Sequence, residues 1–225
     1  MRNINSYIVH TLLHPHLLRR DVVAMCDKAV LSGFAGVCVP PYYVREAKTA
    51  LKVHSKIEIA TVISYPMGYA HTASKVEEIK RAADDGAQCV YIAVNTAAVL
   101  DDHWRYVAND IESTATTAHL KGIQASMMVD VEHLKSRDLQ KLCRLFINSG
   151  AECVLSYTVS DLPEVDIQSI HLLKRFVKDK LKLIVTGSVD DRDQAMALIE
   201  AGVDKIGTEN GLQIIQSPDS NTENQ

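Results

Sequence analysis

Polar residues gather at the ends of two apolar runs in the last third of the chain, and their types suit the holding of a small ligand. Ile184-Val185 leads into Thr186-Gly187-Ser188-Val189-Asp190, and Val203-Asp204-Lys205-Ile206 leads into Gly207-Thr208-Glu209-Asn210-Gly211. Gly187, Gly207 and Gly211 let backbone N–H groups approach ligand oxygens. Asp190 and Glu209 add negative charge to the same stretches. A carboxylate about 4 Å from a phosphate oxygen costs several kcal/mol at an intermediate dielectric, so these residues favour a neutral, hydroxylated ligand over an anion. Asp190 is read first as the cap of the helix beginning at Asp191, and Glu209 as a solvent-facing side chain. Tyr91 and Tyr157 end up near the same polar group if their runs are strands of one sheet. With Thr186, Thr208 and Asn210 they either line a small pocket or fill it and hydrogen-bond one another; both readings stay open.

Other residue types with chemical potential read as structural. His10, His14 and His16 lie close in sequence, and a metal would need a carboxylate such as Asp130 or Glu132 from elsewhere. Without a second matched cluster the three are a strand residue and two loop residues flanking Pro15, and no metal or other cofactor is expected. The five cysteines, Cys26, Cys38, Cys89, Cys143 and Cys153, show no C-x-x-C spacing and are odd in number. They read as reduced, buried thiols of a cytoplasmic protein. Lys182 begins an apolar run and shares the parity of Ile184, but a lysine at a strand start reaches solvent.

The elements that must position these groups alternate regularly. Short β-branched runs bounded by turn residues read as buried parallel strands at 7–13, 87–95, 123–129, 151–157, 181–188 and 203–208, and the apolar stretches 36–44 and 57–68 fall in the same series. Helical patterns lie between them at 17–31, 72–85, 102–119, 136–149 and 193–202. This alternation predicts one domain of the α/β class, and over the last third it reads as the end of a β/α barrel, whose loops after the strands carry the chemistry. Residues 217–225 hold no large apolar side chain and read as a disordered polar tail. The chain's 225 residues and 47% hydrophobic content suit one such core. Net charge is −4 with acids and bases mixed, so no basic block points to nucleic acid. No apolar run is long enough for a membrane, and the N-terminus lacks the apolar core of a signal peptide.

Several stretches in order resemble the deoxyribose-phosphate aldolase family, class I (Schiff-base) aldolases, and the resemblance implies a single-domain TIM (β/α)8 barrel over residues 1–216. His10-Thr11-Leu12-Leu13 is similar to its opening I-D-H-T-L-L, with Val9 in place of aspartate. Val37-Cys38-Val39-Pro40-Pro41-Tyr42-Tyr43-Val44 resembles V-C-V-N-P-Y-Y-V, with Pro40 for asparagine, and Thr61-Val62-Ile63-Ser64-Tyr65-Pro66-Met67-Gly68 resembles T-V-I-G-F-P-L-G. Thr72 and Lys75 fit a T-x-x-K. The departures fall on the residues the resemblance marks as catalytic. The imine lysine of V-K-T-S-T corresponds to Leu155, the lysine of K-A-S-G-G to Ile184, and the proton-shuttling aspartate of the fourth strand to Tyr91. A lysine and glutamate of the fifth strand correspond to Gln124 and Met128.

These groups form one electrostatic cluster in such an aldolase. Removing one alone strands a buried charge at roughly 3–5 kcal/mol, whereas replacing all three with packing residues avoids that cost. The expectation is a barrel that has lost Schiff-base catalysis, a pseudoenzyme serving as a binding, regulatory or assembly protein. The alternative is a lyase still acting on 2-deoxyribose 5-phosphate or a related small carbonyl compound without an imine. The resemblance also implies a homodimer, and a small hydroxylated ligand or a protein partner remain the candidate partners.

Overall fold

The computed structural model describes residues 3–52, 56–157 and 167–217. The expected tail lies outside these residues apart from Ser217. Strands β1 (Ile8–Thr11), β2 (Gly36–Val39), β3 (Glu58–Ile63), β4 (Cys89–Ala93), β5 (Gln124–Asp130), β6 (Cys153–Tyr157), β7 (Lys182–Thr186) and β8 (Lys205–Thr208) pair in parallel with their sequence neighbours. β8 also pairs with β1, Val9 opposite Gly207, which closes the barrel. Helices α1 (Arg19–Ser32), α2 (Val44–Leu51), α3 (Thr72–Asp85), α4 (Thr96–Leu100), α5 (Trp104–Leu120), α6 (Ser136–Asn148), α7 (Ile167–Val177), α8 (Arg192–Glu200) and α9 (Gly211–Gln216) lie between and after the strands. The expected TIM barrel is therefore the fold. Helices α2, α4 and α9 were not expected from the sequence; each is too short to show a full amphipathic repeat.

Alternation along each strand sorts the apolar side chains into two cores. One fills the space between barrel and helices, with Ile8, Val37, Ile59, Val90, Met127, Val154 and Leu183 pointing outward. The other fills the barrel and includes Val9, Cys38, Val62, Tyr91, Met128, Leu155 and Ile184.

Two polar devices set the loops at the C-terminal ends of the strands. Lys75 of α3 is fully buried, with Nζ 2.6 Å from Asp110 Oδ2 on α5 and 2.9 Å from the Ala93 carbonyl at the end of β4. Thr72 donates to the other oxygen of Asp110 at 2.7 Å. A buried charge satisfied on this many sides locks the start of α3 and the end of β4 to α5. The loop from Ser64 to His71 is the second. Glu78 accepts from the Ser64 N–H at 2.8 Å, and the Gly68 N–H donates to the Ser64 carbonyl at 2.8 Å. Gly68 has φ +68°, and a Cβ there would lie 2.5 Å from the Val94 carbonyl oxygen, so only glycine fits.

Candidate functional site

The C-terminal ends of the strands open into two separate pockets. The first, about 280 Å³, lies beside β1, β7 and β8. Thr186, Gly187, Gly207, Thr208, Glu209 and Asn210 all line it, together with Asp190 and Tyr65. A Cβ on Gly207 would stand 3.1 Å from Thr186 Cβ and 3.2 Å from Thr11 Oγ1, so glycine keeps this wall open. Thr208 Oγ1 donates to the Val189 carbonyl at 2.9 Å and accepts from the Asn210 N–H at 2.9 Å. That hydroxyl thus ties the two loops together. Asn210 Nδ2 donates to Asp190 Oδ1 at 2.7 Å.

Asp190 is therefore not the cap expected of it. Asp191 caps α8, accepting from the Gln194 N–H at 2.8 Å, because the extended residue directly before the first helical one holds the capping geometry. Glu209 is exposed at the rim. The described lining carries two carboxylates and no lysine or arginine.

Tyr157 does not join this group. Its hydroxyl donates to the Pro66 carbonyl at 2.5 Å, reaching from β6 to the loop after β3. Its ring lies 6.3 Å from that of Tyr65. Burial, with the Asp130 carboxylate beside it, pushes the Tyr157 phenol well above its ordinary pKa, so it stays a donor. This brace spans the barrel mouth and divides it. On its other side lies a second pocket of about 270 Å³, walled by Met67, Tyr69, Thr96, Leu100 and Tyr157 around Asp130 and His133.

Tyr91 lies deeper than expected. It is 3% exposed and lines neither pocket, sitting in the barrel core with Leu155 and Ile184. Among the described residues its hydroxyl is the one buried side-chain polar atom without a hydrogen-bond partner. Burial pushes its pKa well above the ordinary value. Leu155 and Ile184 are paired across β6 and β7 and are 0% and 1% exposed. Val9 and Met128 share this interior, while Gln124 is exposed at the start of β5 and Pro40 sits half-buried just past β2.

Lys182 is exposed, as a lysine at a strand start should be. Lys205 pairs with Glu58 at 2.6 Å at the opposite end of the barrel from the pockets. His10 points away from the barrel interior, edge-on to Phe34, with Nδ1 3.3 Å from the Thr208 carbonyl. His14 and His16 are exposed, and no cluster of metal-ligating side chains occurs among the described residues. Burial pushes the Cys38 thiol up strongly and the Cys26 and Cys143 thiols to about 12, which keeps them unreactive.

Comparison with known proteins fits this geometry. The profile of the DeoC/LacD family aldolase matches residues 8–138. The chain is 33% identical over 215 residues to a deoxyribose-phosphate aldolase of Thermococcus gammatolerans, covering 95% of this chain and 96% of that one. The chain belongs to the DeoC/LacD aldolase family. A deoxyribose-phosphate aldolase of Thermococcus kodakarensis is likewise 33% identical over 220 residues, 97% of this chain and 98% of the relative. Among solved structures, "QR15, an Aldolase" superposes with a TM-score of 0.88 at 27% identity, covering 95% of each chain. The deoxyribose phosphate aldolase of Aeropyrum pernix, at 20% identity and a TM-score of 0.85, shares the fold over 95% of this chain and 90% of its own.

As a barrel of this family, the chain carries its polar groups where such barrels carry chemistry, on the loops after the strands. Asp130 and His133 were missed as a pair in the sequence, where Asp130 entered only as a remote metal ligand. The signal was local: an acid ending β5 and a histidine three residues later.

Proposed function

We propose that this family member has left Schiff-base catalysis and acts as a pseudoenzyme, a binding, regulatory or assembly protein whose first pocket takes a small neutral hydroxylated ligand. One observation carries the reading. Leu155 and Ile184, at the positions where the family resemblance puts lysines, are paired on the barrel floor and sealed from solvent. Imine formation needs an amine that is neutral often enough to attack a carbonyl. No lysine lines either pocket among the described residues. Lys205 offers no substitute: burial alone would lower its pKa, but Glu58 outweighs this and holds the ammonium above its ordinary value. The carboxylates of the first pocket support a neutral ligand rather than a phosphate. The reading includes a cytoplasmic homodimer, and the five free, buried cysteines support a reducing compartment.

Borohydride reduction in the presence of acetaldehyde or 2-deoxyribose 5-phosphate, followed by intact-mass spectrometry, tests the loss of imine chemistry. No added mass is expected; a lysine carrying the reduced adduct would overturn the reading. A second reading is a lyase acting on 2-deoxyribose 5-phosphate or a related carbonyl compound without an imine. The Asp130–His133 pair favours the second of these substrates, a small neutral carbonyl compound, because a histidine base can move a proton without an imine. Release of acetaldehyde from the sugar phosphate without a trapped adduct would select that reading.

A further inference from the structure

The second pocket holds an arrangement that the barrel-floor argument does not use. Asp130, at the end of β5, is buried, and its Oδ2 lies 2.8 Å from His133 Nδ1. Its other oxygen accepts from the Glu132 N–H at 3.2 Å. A carboxylate accepts, so Nδ1 carries a proton, and in the neutral ring Nε2 is the acceptor. This is the geometry of a base held by an orienting acid. The ring is on the pocket wall and accessible, its side chain 55% exposed against 6% for Asp130. Met67, Tyr69 and Leu100 are exposed around it at 38%, 65% and 56%. Apolar side chains left in water at the mouth of a pocket mark a place where a ligand packs. The described walls bear no cation, while Thr96 supplies a hydroxyl. The site therefore suits a small neutral compound with a polar end rather than a phosphorylated one.

We propose that this pocket is a general-base site in which His133 takes a proton from the carbon beside the carbonyl of a small neutral hydroxycarbonyl compound. The C–H electron pair moves to the carbonyl oxygen, giving the enolate, and the proton goes to Nε2. Asp130 faces the imidazolium and acts as a positioning residue. Returning a proton from Nε2 to the carbon restores the starting compound, so no co-reactant is consumed. This adds a proton-transfer activity in the second pocket to a barrel that has lost only its Schiff-base chemistry, and it is independent of what the first pocket holds.

Deuterium exchange tests it. Hydroxyacetone and dihydroxyacetone are incubated with the full-length protein in D2O, and loss of the α-proton signal is followed by proton NMR. The expected result is protein-dependent exchange that falls at least 100-fold in His133→Gln, the scale of a positioned base. His119→Gln, which alters a surface histidine paired with Glu152, is expected to leave exchange unchanged. Asp130→Asn is expected to slow exchange and to abolish the slowly exchanging Nδ1–H resonance of His133, a signature that a merely structural aspartate would not move. Circular dichroism confirms that each variant is folded. Exchange no faster than buffer, or equally fast in His133→Gln, would overturn the proposal. Borohydride added to the same mixture keeps the two readings apart: an adduct breaks the barrel-floor reading, while the His133 dependence speaks only to this pocket.

Discussion

Leucine at 155 does more than remove an amine. It fills a floor shared with Ile184, Met128 and Tyr91, all of them buried. Restoring one lysine into that surface strands a charge. We expect Leu155→Lys to lower stability by about 3–5 kcal/mol in urea unfolding. Adding Tyr91→Asp supplies a partner, so the double variant is expected to lose less than the sum of its parts, by about 0.5–3 kcal/mol. Strict additivity would show that these side chains do not share one interior. Residue identities were readable from the sequence, and so was the parity that turns Leu155 and Ile184 inward. Tyr91 was not readable in depth. Its height above the barrel floor depends on the stagger of neighbouring strands, which no local pattern encodes. The same holds for Asp190, whose carboxylate is taken by Asn210 from the next strand's loop.

The elements most easily read from sequence were the long ones. Helix α3 spans the expected Thr72–Asp85, because fourteen residues carry several turns of apolar periodicity and end at Gly86 in the left-handed conformation. The loop between β3 and α3 is the opposite case: its shape comes from partners distant in sequence. Tyr157 lies 91 residues from Pro66, yet it supplies the hydrogen bond that holds the loop across the mouth. The Ser64 hydroxyl, accepting from the Ala70 N–H at 3.1 Å, and Glu78 hold only its base. Removing one hydroxyl should therefore loosen the loop without unfolding the barrel. Tyr157→Phe is expected to lower global stability by about 0.5–1.5 kcal/mol. Hydrogen exchange measured by mass spectrometry should rise several-fold across residues 66–71 and stay unchanged in the strands. Unaltered protection in that loop would show that Tyr157 does not divide the mouth.

At the scale of the whole molecule, closure of the barrel forces polar groups together at its closed end. Glu58 begins β3 and Lys205 begins β8, 147 residues apart, and their side chains meet at 2.6 Å with 20% and 21% exposure. Both lie on the inner face below Cys89 and Cys153, whose thiols burial pushes up in pKa. The alternation of strand and helix made this closure legible, but not which charges it would pair. The pairing has a defined pH signature. Burial disfavours the Lys205 ammonium, yet Glu58 more than compensates, so the folded pKa lies above the ordinary 10.5. Between those two values the folded chain holds a proton that the unfolded chain has released. The stabilisation is therefore fully present below pH 10.5 and is lost as pH rises through the folded value. Glu58→Gln removes the cause. It is expected to cost about 1.5–3 kcal/mol at neutral pH, the worth of a hydrogen bond to a charged group. The variant should also lack the Lys205-linked loss of stability on the alkaline side, so wild type and variant converge as pH rises past 10.5. Urea midpoints from pH 7 to 11 measure both effects. Parallel curves for the two proteins would mean that this ion pair contributes nothing to holding the barrel closed.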